Sequence, residues 1–229
     1  MNILAHASQV IDTLKMGGYT MVPLLAASVL LVAIVLERLI ILRRERILPQ
    51  NLVRLVDQAN KPDVLQAIRT EAYRSDAPLA RVLRVALDHA NDTRANAIEA
   101  VTAAGKEQAH HLERGLGVID TIAVACPPLG LLGTLFGLMD VFMSIQQQGQ
   151  TTLGAAGPGI AKALITTIVG LIIAIPALLS YNLLSRRVDG LVLALEKHIS
   201  LFIIRTRSGK ESLQENAEWS FTEARATGQ

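Results

Sequence analysis

The sequence predicts an all-α membrane protein, with three transmembrane helices joined to extended helices outside the bilayer. Two observations carry this prediction. The chain is 51% hydrophobic and only 18% charged, whereas soluble domains carry about 25% charged residues. The missing charges are also concentrated. Met16 to Leu36, Thr121 to Met139 and Ala163 to Leu184 contain no Asp, Glu, Lys or Arg. Each stretch is close to the ~20 residues that cross a hydrocarbon core of about 30 Å as a helix. A net charge of +2 gives no electrostatic footprint for nucleic acid. The single cysteine, Cys126, excludes an intramolecular disulfide and a Cys-based zinc site. It reads as a small apolar residue inside the second span.

Residues 16–42 form the first span. No basic segment precedes it, and Glu37-Arg38 followed by Leu39-Ile40-Ile41-Leu42 is not a small-residue cleavage site, so it reads as an anchor. Before it, Ile3, Ala7, Val10, Ile11 and Leu14 share one helical face, which predicts an interfacial helix over residues 1–15. Residues 43–117 form a large helical insert. Asn51–Asn60 is one short segment, and Lys61-Pro62 opens another that ends near Ser75-Asp76. Pro78 then starts a helix with Leu79, Val82, Leu83, Ala86 and Leu87 in register. Ala97, Val101 and Ala104 continue an apolar stripe towards the second span, 118–146, with Gly115 and Gly117 loosening the junction. An uncharged loop, 147–157, leads to the third span, 158–185. Val188, Leu191, Leu195, His198 and Phe202 predict one more helix over 186–207, and the polar stretch 208–229 reads as disordered. Arg43, Arg44, Arg46, Arg114, Arg186 and Arg187 all flank the same ends of the spans. The positive-inside rule therefore places the insert and the C-terminus in the cytoplasm, and the N-terminus and the 147–157 loop outside.

The second and third spans carry matched stripes of small residues. Ala123, Pro127, Gly130, Thr134 and Gly137 recur at intervals of 4, 3, 4 and 3, as do Ala163, Thr167, Gly170, Ala174 and Ala177. Each set lies along one helical face. Small faces let backbones approach closely in lipid, either in plain packing or as a surface that receives other helices; the repetition in two spans favours the second. Counting ~1.5 Å per residue, Thr134 is roughly 21 Å from Asp120 and Thr167 roughly 28 Å from Arg186, so the two hydroxyls share a depth near mid-membrane. Such a pair can hold water, an ion or a carboxyl group. The alternative for each is a bond to its own helix. No acid or histidine lies in the central part of any span, and proton relays normally use titratable groups at depth. A titrating group would have to come from another subunit. No nucleophile–base or metal-ligand cluster appears, so the chain reads as a non-enzyme without cofactor.

Two charges sit at the outer margin of these spans. Asp140 is six residues beyond Thr134, and Lys162 is five residues before Thr167. On antiparallel helices the offsets are roughly 9 and 7.5 Å, which predicts a shared depth and an ion pair. The alternative is a lysine that snorkels to the surface alone.

Two longer motifs carry a family resemblance. Pro128-Leu129-Gly130-Leu131-Leu132-Gly133-Thr134, continued by Leu135-Phe136-Gly137-Leu138-Met139, resembles the second-helix motif of ExbB and TolQ proteins. Gly157-Pro158-Gly159-Ile160-Ala161, then Ala163-Leu164-Ile165-Thr166-Thr167, Gly170-Leu171 and Ala174-Ile175-Pro176-Ala177, resembles their third-helix motif. The resemblance implies a ring, a homo-pentamer, around a dimer of an ExbD/TolR-type one-span partner whose membrane aspartate enters the lumen. Ion flow, of protons or Na⁺, would then drive work on a TonB-like protein from the bacterial inner membrane, or serve envelope integrity as in TolQ. A membrane scaffold that conducts nothing is the reading of a different class. The resemblance puts Thr134 and Thr167 in the lumen; Thr166 is read with them along the ion path, and the helix offsets set Lys162 and Asp140 near its outer mouth. The small-residue faces make Pro127, Gly130, Gly133, Gly137, Ala163, Gly170, Ala174 and Ala177 the packing and partner-facing set. Lys162 departs from the motif, which usually has glutamate there. Three spans rather than four separate the chain from flagellar MotA.

Overall fold

The computed structural model describes residues 18–59, 62–90, 92–148 and 153–226; the interfacial helix expected over residues 1–15 lies outside them. The described residues are almost all helical, with short turns between helices and no strand among them. A 3-10 turn at Gly18–Thr20 leads into α1 (Met21–Ile41). The insert follows as α2 (Arg44–Ile47), α3 (Gln50–Asp57), α4 (Pro62–Arg74), α5 (Pro78–Asp88) and α6 (Arg94–Glu113). Then come α7 (Leu116–Gln148) and the long α8 (Leu153–Ala226). Three helices are long and apolar enough to cross a membrane: Gly18–Ile41, Leu116–Gln146 and a window of α8. The chain is a multi-pass membrane protein.

Two compact units divide it. The first combines residues 1–40 with 115–185 and contains the three spans; the second combines 41–114 with 186–229. In the first, α1 buries only a narrow line of side chains, Met21, Leu24, Leu31 and Arg38, and leaves Val22, Val29, Val32 and Leu36 exposed. That outward apolar surface is what a lipid-facing helix presents. Arg38 is 7% exposed and lies over Gly115, where a Cβ would stand 3.0 Å from its Nε. Gly115 has φ +84°, which suits glycine at the break between α6 and α7. Gly117, also expected to loosen this junction, is inside α7.

The second unit has its own apolar core. Leu79, Ala80, Val82, Leu83 and Ala86 of α5 are buried, as the register of that helix requires. Leu52 and Val56 of α3 and Ile68 of α4 join the same core. Along α8, Val188, Leu191, Leu195, Ile199 and Phe202 are buried at spacings of three, four, four and three. Arg205 ties α8 to the C-terminal end of α3, donating to the Val56 carbonyl at 3.0 Å and lying 3.5 Å from Asp57.

Two stretches differ from expectation. The third span and the following helix, expected as 158–185 and 186–207, are one continuous α8, because no residue between them breaks a helix. Residues 208–226, expected to be disordered, continue that helix to Ala226. Polarity argues against burial, but a run with four Glu and three Ala keeps good helix propensity. The 147–157 loop is correspondingly shorter at both ends, since α7 reaches Gln148 and α8 starts at Leu153.

Candidate functional site

Helices α7 and α8 form an antiparallel hairpin, and the small stripes of the two spans meet each other. A Cβ on Gly170 would lie 2.7 Å from the Cys126 carbonyl oxygen and 3.1 Å from Gly130 Cα. A Cβ on Gly130 would meet the Thr166 carbonyl oxygen at 2.9 Å. One on Gly137 would meet the Gly159 carbonyl oxygen at 2.7 Å and Ala163 Cβ at 2.9 Å. Gly133 faces the Thr166 side chain, whose Oγ1 would stand 2.5 Å from an added Cβ. Ala123, Cys126, Ala163, Ala174 and Ala177 are buried around these contacts. The close approach permitted by small residues is therefore made within one chain, which is the plain-packing alternative; Pro127 lies partly buried beside it.

The three threonines take different roles. Thr166 is fully buried and donates within α8, to the Ala163 carbonyl at 2.9 Å and the Lys162 carbonyl at 3.2 Å. Thr134 donates to the Leu131 carbonyl of its own helix at 2.6 Å. Thr167 reaches across the seam to the Gly130 carbonyl at a long 3.4 Å. Thr134 is four residues from Gly130, so the two hydroxyls lie within about 6 Å of one depth.

They also lie on one edge. In each helix the threonine is rotated forward from the glycine line of the seam by the same four-residue step, Gly130 to Thr134 and Ala163 to Thr167. Equal forward rotations on antiparallel helices point to the same side. Thr134 and Thr167 are partly exposed there, and each keeps acceptor capacity after donating its one hydrogen.

At the loop end of the hairpin, Lys162 Nζ stands 2.7 Å from Asp140 Oδ2. The pair inferred from helix offsets is thus formed within a single chain. The Lys162 side chain is 25% exposed and that of Asp140 52%, so the carboxylate keeps much of its solvation. The lysine also passes over Gly18, where a Cβ would lie 2.5 Å from its Cε. Gly18 has φ +70°, so a glycine both makes the turn into α1 and leaves room for the lysine. Gly18 and Gly159 were absent from the sequence reading of the site. Gly159 stands in the third-helix motif, but its place in the seam shows only in three dimensions, where it faces Val141 and Gly137 across the hairpin.

Among the described residues no group of His, Cys, Asp or Glu could hold a metal ion. The hairpin can place two hydroxyls along one edge and an ion pair at its loop end, without supplying an acid or histidine at the depth of the hydroxyls.

Comparisons with known proteins bear on the family of the chain. Residues 74–197, which include α7 and the seam half of α8, match the MotA/TolQ/ExbB proton channel family. An ExbB-like biopolymer transport protein of Synechocystis is 35% identical, over 72% of this chain and 80% of the relative. The Tol-Pal system protein TolQ of Haemophilus influenzae is 40% identical, over 41% of each chain. The biopolymer transport protein ExbB of Salmonella typhimurium is 42% identical, over 34% of this chain and 32% of the relative. The last two alignments thus span less than half of those relatives. The family match over more than half of the chain, the length of the Synechocystis alignment and the three apolar helices lead to one conclusion: the chain belongs to the MotA/TolQ/ExbB proton channel family.

Proposed function

We propose that this chain is the channel-scaffold subunit of an ion-driven, energy-transducing motor of the ExbB kind. One observation carries the reading. The α7–α8 seam exposes two hydroxyls along one edge at one depth, while the span sequences hold no titratable residue there. Hydroxyls can relay or solvate an ion but do not titrate in the physiological range, so the proton carrier must be supplied from outside the chain. A one-span partner of the ExbD/TolR type, with a carboxyl group at mid-membrane, fits that requirement. A homo-pentameric ring with the threonine edges turned inwards would surround it. Such a ring would sit in the bacterial inner membrane, and the basic flanks favour a periplasmic N-terminus and a cytoplasmic C-terminus. Work would then pass to a TonB-like protein.

The test is proton uptake into proteoliposomes under an imposed gradient. The chain alone should be silent, and co-reconstitution with a one-span partner bearing a membrane aspartate should open the path. Proton flow through the chain alone would sink the proposal. A TolQ-like role in envelope integrity uses the same mechanics and is favoured by the TolQ similarity, which equals that to ExbB in strength. The partner that co-purifies with the chain from its native membrane decides between them: a TonB-like protein for the first, a Tol-type one-span protein without it for the second.

A further inference from the structure

We infer that Asp120 and Tyr181 form the inner end of the ion path, where the Asp120 carboxylate passes protons between that path and the aqueous phase. The inference rests on the proposed channel function and adds a proton-accepting group on this chain. It starts from the threonine edge. Asp120, Pro127 and Thr134 are spaced by sevens along α7, as Thr167, Ala174 and Tyr181 are along α8. Both lines run through unbroken helix. A helix drifts only about 20° per seven residues, so each line stays on the side that carries the threonine. Fourteen residues at ~1.5 Å each are roughly 21 Å. Because the helices are antiparallel, that one step away from the loop reaches Asp120 on α7 and Tyr181 on α8. The two groups therefore share a depth as closely as the two hydroxyls do.

What marks Asp120 is its lack of a partner. Of the two carboxylates on α7, Asp140 is paired with Lys162 at 2.7 Å. Asp120 makes no ion pair or side-chain hydrogen bond among the described residues, and neither does Tyr181. Both residues are partly buried. Withdrawing a charge from water without a partner costs free energy, and ionisable residues kept within membrane helices mark ion pathways. The ordinary role of an acid near a helix start does not cover this one. Asp120 is the fifth residue of α7, past the first turn in which a carboxylate offsets the helix dipole. The ordinary role of Tyr181 is an aromatic anchor at the membrane interface, which needs the ring but not the hydroxyl.

The two side chains divide the task. The Asp120 carboxylate takes a proton arriving along the edge, from hydronium or from a protonated carboxyl group on a central partner. Water or a carboxylate is left behind, and Asp120 becomes a neutral acid. It then gives that proton to water at the inner surface and regains its charge, so each passage restores the starting state. The Tyr181 hydroxyl donates and accepts hydrogen bonds without losing its own proton in the physiological range. It is a positioning residue, ordering water beside the carboxylate. Thr134 and Thr167 cannot replace Asp120, because their hydroxyls do not titrate. Asp140 has no equivalent freedom at the loop end while Lys162 holds its charge. The path is thus asymmetric, with a free acid at one end and an ion pair at the other.

The test co-reconstitutes the full chain with a one-span partner bearing a membrane aspartate and reads proton uptake under an imposed gradient. A positioned proton-transfer group contributes about 100-fold or more, so Asp120→Asn should slow uptake by at least roughly tenfold even where a second step shares control. Asp120→Glu keeps the carboxylate and should retain most of the uptake. Tyr181→Phe keeps the ring and deletes the hydroxyl, so a loss of uptake there separates water ordering from an aromatic anchor. Thr121→Val removes a neighbouring hydroxyl that donates to the Gly117 carbonyl of its own helix, and should leave uptake unchanged. Cys126 is 1% exposed, so its labelling by a maleimide reports opening of the hairpin and should keep one rate in every variant. Full uptake in Asp120→Asn, loss in Asp120→Glu equal to it, or loss accompanied by faster labelling overturns the inference and leaves the channel function standing. Full uptake in Tyr181→Phe overturns the part given to Tyr181. No uptake by the unsubstituted chain with its partner overturns the inference and the channel function together.

Discussion

Gly170→Ala adds one methyl group to the crossing of α7 and α8, and Cys126 reports what that methyl does. The new carbon would stand 2.7 Å from the Cys126 carbonyl oxygen and 3.1 Å from Gly130 Cα. Ordinary separations are about 3.3–3.6 Å for carbon on a carbonyl oxygen and about 3.5–4.0 Å between carbons. Both obstacles are backbone, so no rotamer change relieves them and the helices must part by roughly 0.5 Å or more. A gap of that size forfeits about a quarter of the dispersion well between facing atoms. The Thr167 bond to the Gly130 carbonyl, already 3.4 Å long, is lost as well, at about 0.6 kcal/mol for an interhelical bond in a membrane. With an overpacking cost of about 1–3 kcal/mol, opening of the seam becomes easier by about 2–3 kcal/mol. At 1.4 kcal/mol per decade, the open population rises roughly 30- to 100-fold.

Cys126 is the only cysteine and is 1% exposed, so a maleimide reaches it only when the hairpin opens. Where closing outruns labelling, the rate tracks the open population. Labelling of Gly170→Ala in mild detergent should accelerate by the factor above. Gly190→Ala, on the same helix with nothing within 4 Å of the added carbon, should label at the unsubstituted rate. Equal rates in the two variants would refute the backbone-contact argument.

Gly133→Ala differs in kind, because the atoms nearest its new carbon all belong to the Thr166 side chain; adding Thr166→Gly should return its labelling rate most of the way to normal, and no recovery would deny the contact. A double-mutant cycle on Asp140→Asn and Lys162→Gln should give a coupling of up to about 1 kcal/mol in thermal or denaturant unfolding, the range for a half-exposed pair; a coupling near zero leaves a lysine that snorkels alone. Gly18→Ala strains a turn at φ +70° and pushes on the Lys162 stem, so it should cost about 1–2 kcal/mol in the same assay, and much less if the lysine is already substituted. Thr134→Val and Thr167→Val both keep the side-chain shape, but only the second removes an interhelical bond. Thr167→Val alone should speed Cys126 labelling, while both should reduce proton flow with the partner present; full flow in the double variant would leave the hydroxyls a purely structural task.

Much of the fold was legible because a membrane makes charge a ruler. The charge-free stretches ended near Leu36, Met139 and Leu184, and the helices run past those points where charged residues are free to leave the lipid. The Asp140–Lys162 pair was legible for a related reason, since antiparallel helices of fixed rise convert sequence offsets into depth. The partner of a small-residue stripe was not legible. A 4-3-4-3 line of Gly, Ala and Thr says that a backbone comes close, but a helix of the same chain and one of another chain leave the same signature. Gly18 was invisible for another reason: its left-handed φ and the lysine above it depend on where Lys162 is brought in space. The fate of residues 208–226 was misread because polarity measures burial, and a helix can continue without it.

The use of both stripes inside the hairpin constrains what remains for assembly. With Gly130, Gly137 and Gly170 consumed in the seam, the outward surface of α7 offers Leu131, Leu135, Leu138 and Phe142, and that of α8 offers Leu164, Ile168, Leu171 and Ile175. Branched and aromatic faces hold neighbouring helices at the usual 8–10 Å between axes, rather than at glycine contact. A ring built from such subunits would close through these bulky faces and could not pinch its own centre shut by backbone contact. The tight seam would act as a rigid stave and the threonine edge as its inner margin. In such a ring the rigidity of the stave would matter, because a hydroxyl that drifts by an ångström would no longer meet a carboxyl group passing on a central partner. This links the two measurements on one residue pair. If the seam carries the threonine edge, Gly170→Ala should reduce coupled proton flow in proportion to its Cys126 labelling rate, although Gly170 itself touches no ion. Proton flow that stays unchanged while labelling accelerates many-fold would separate the edge from the seam and require another support for Thr134 and Thr167.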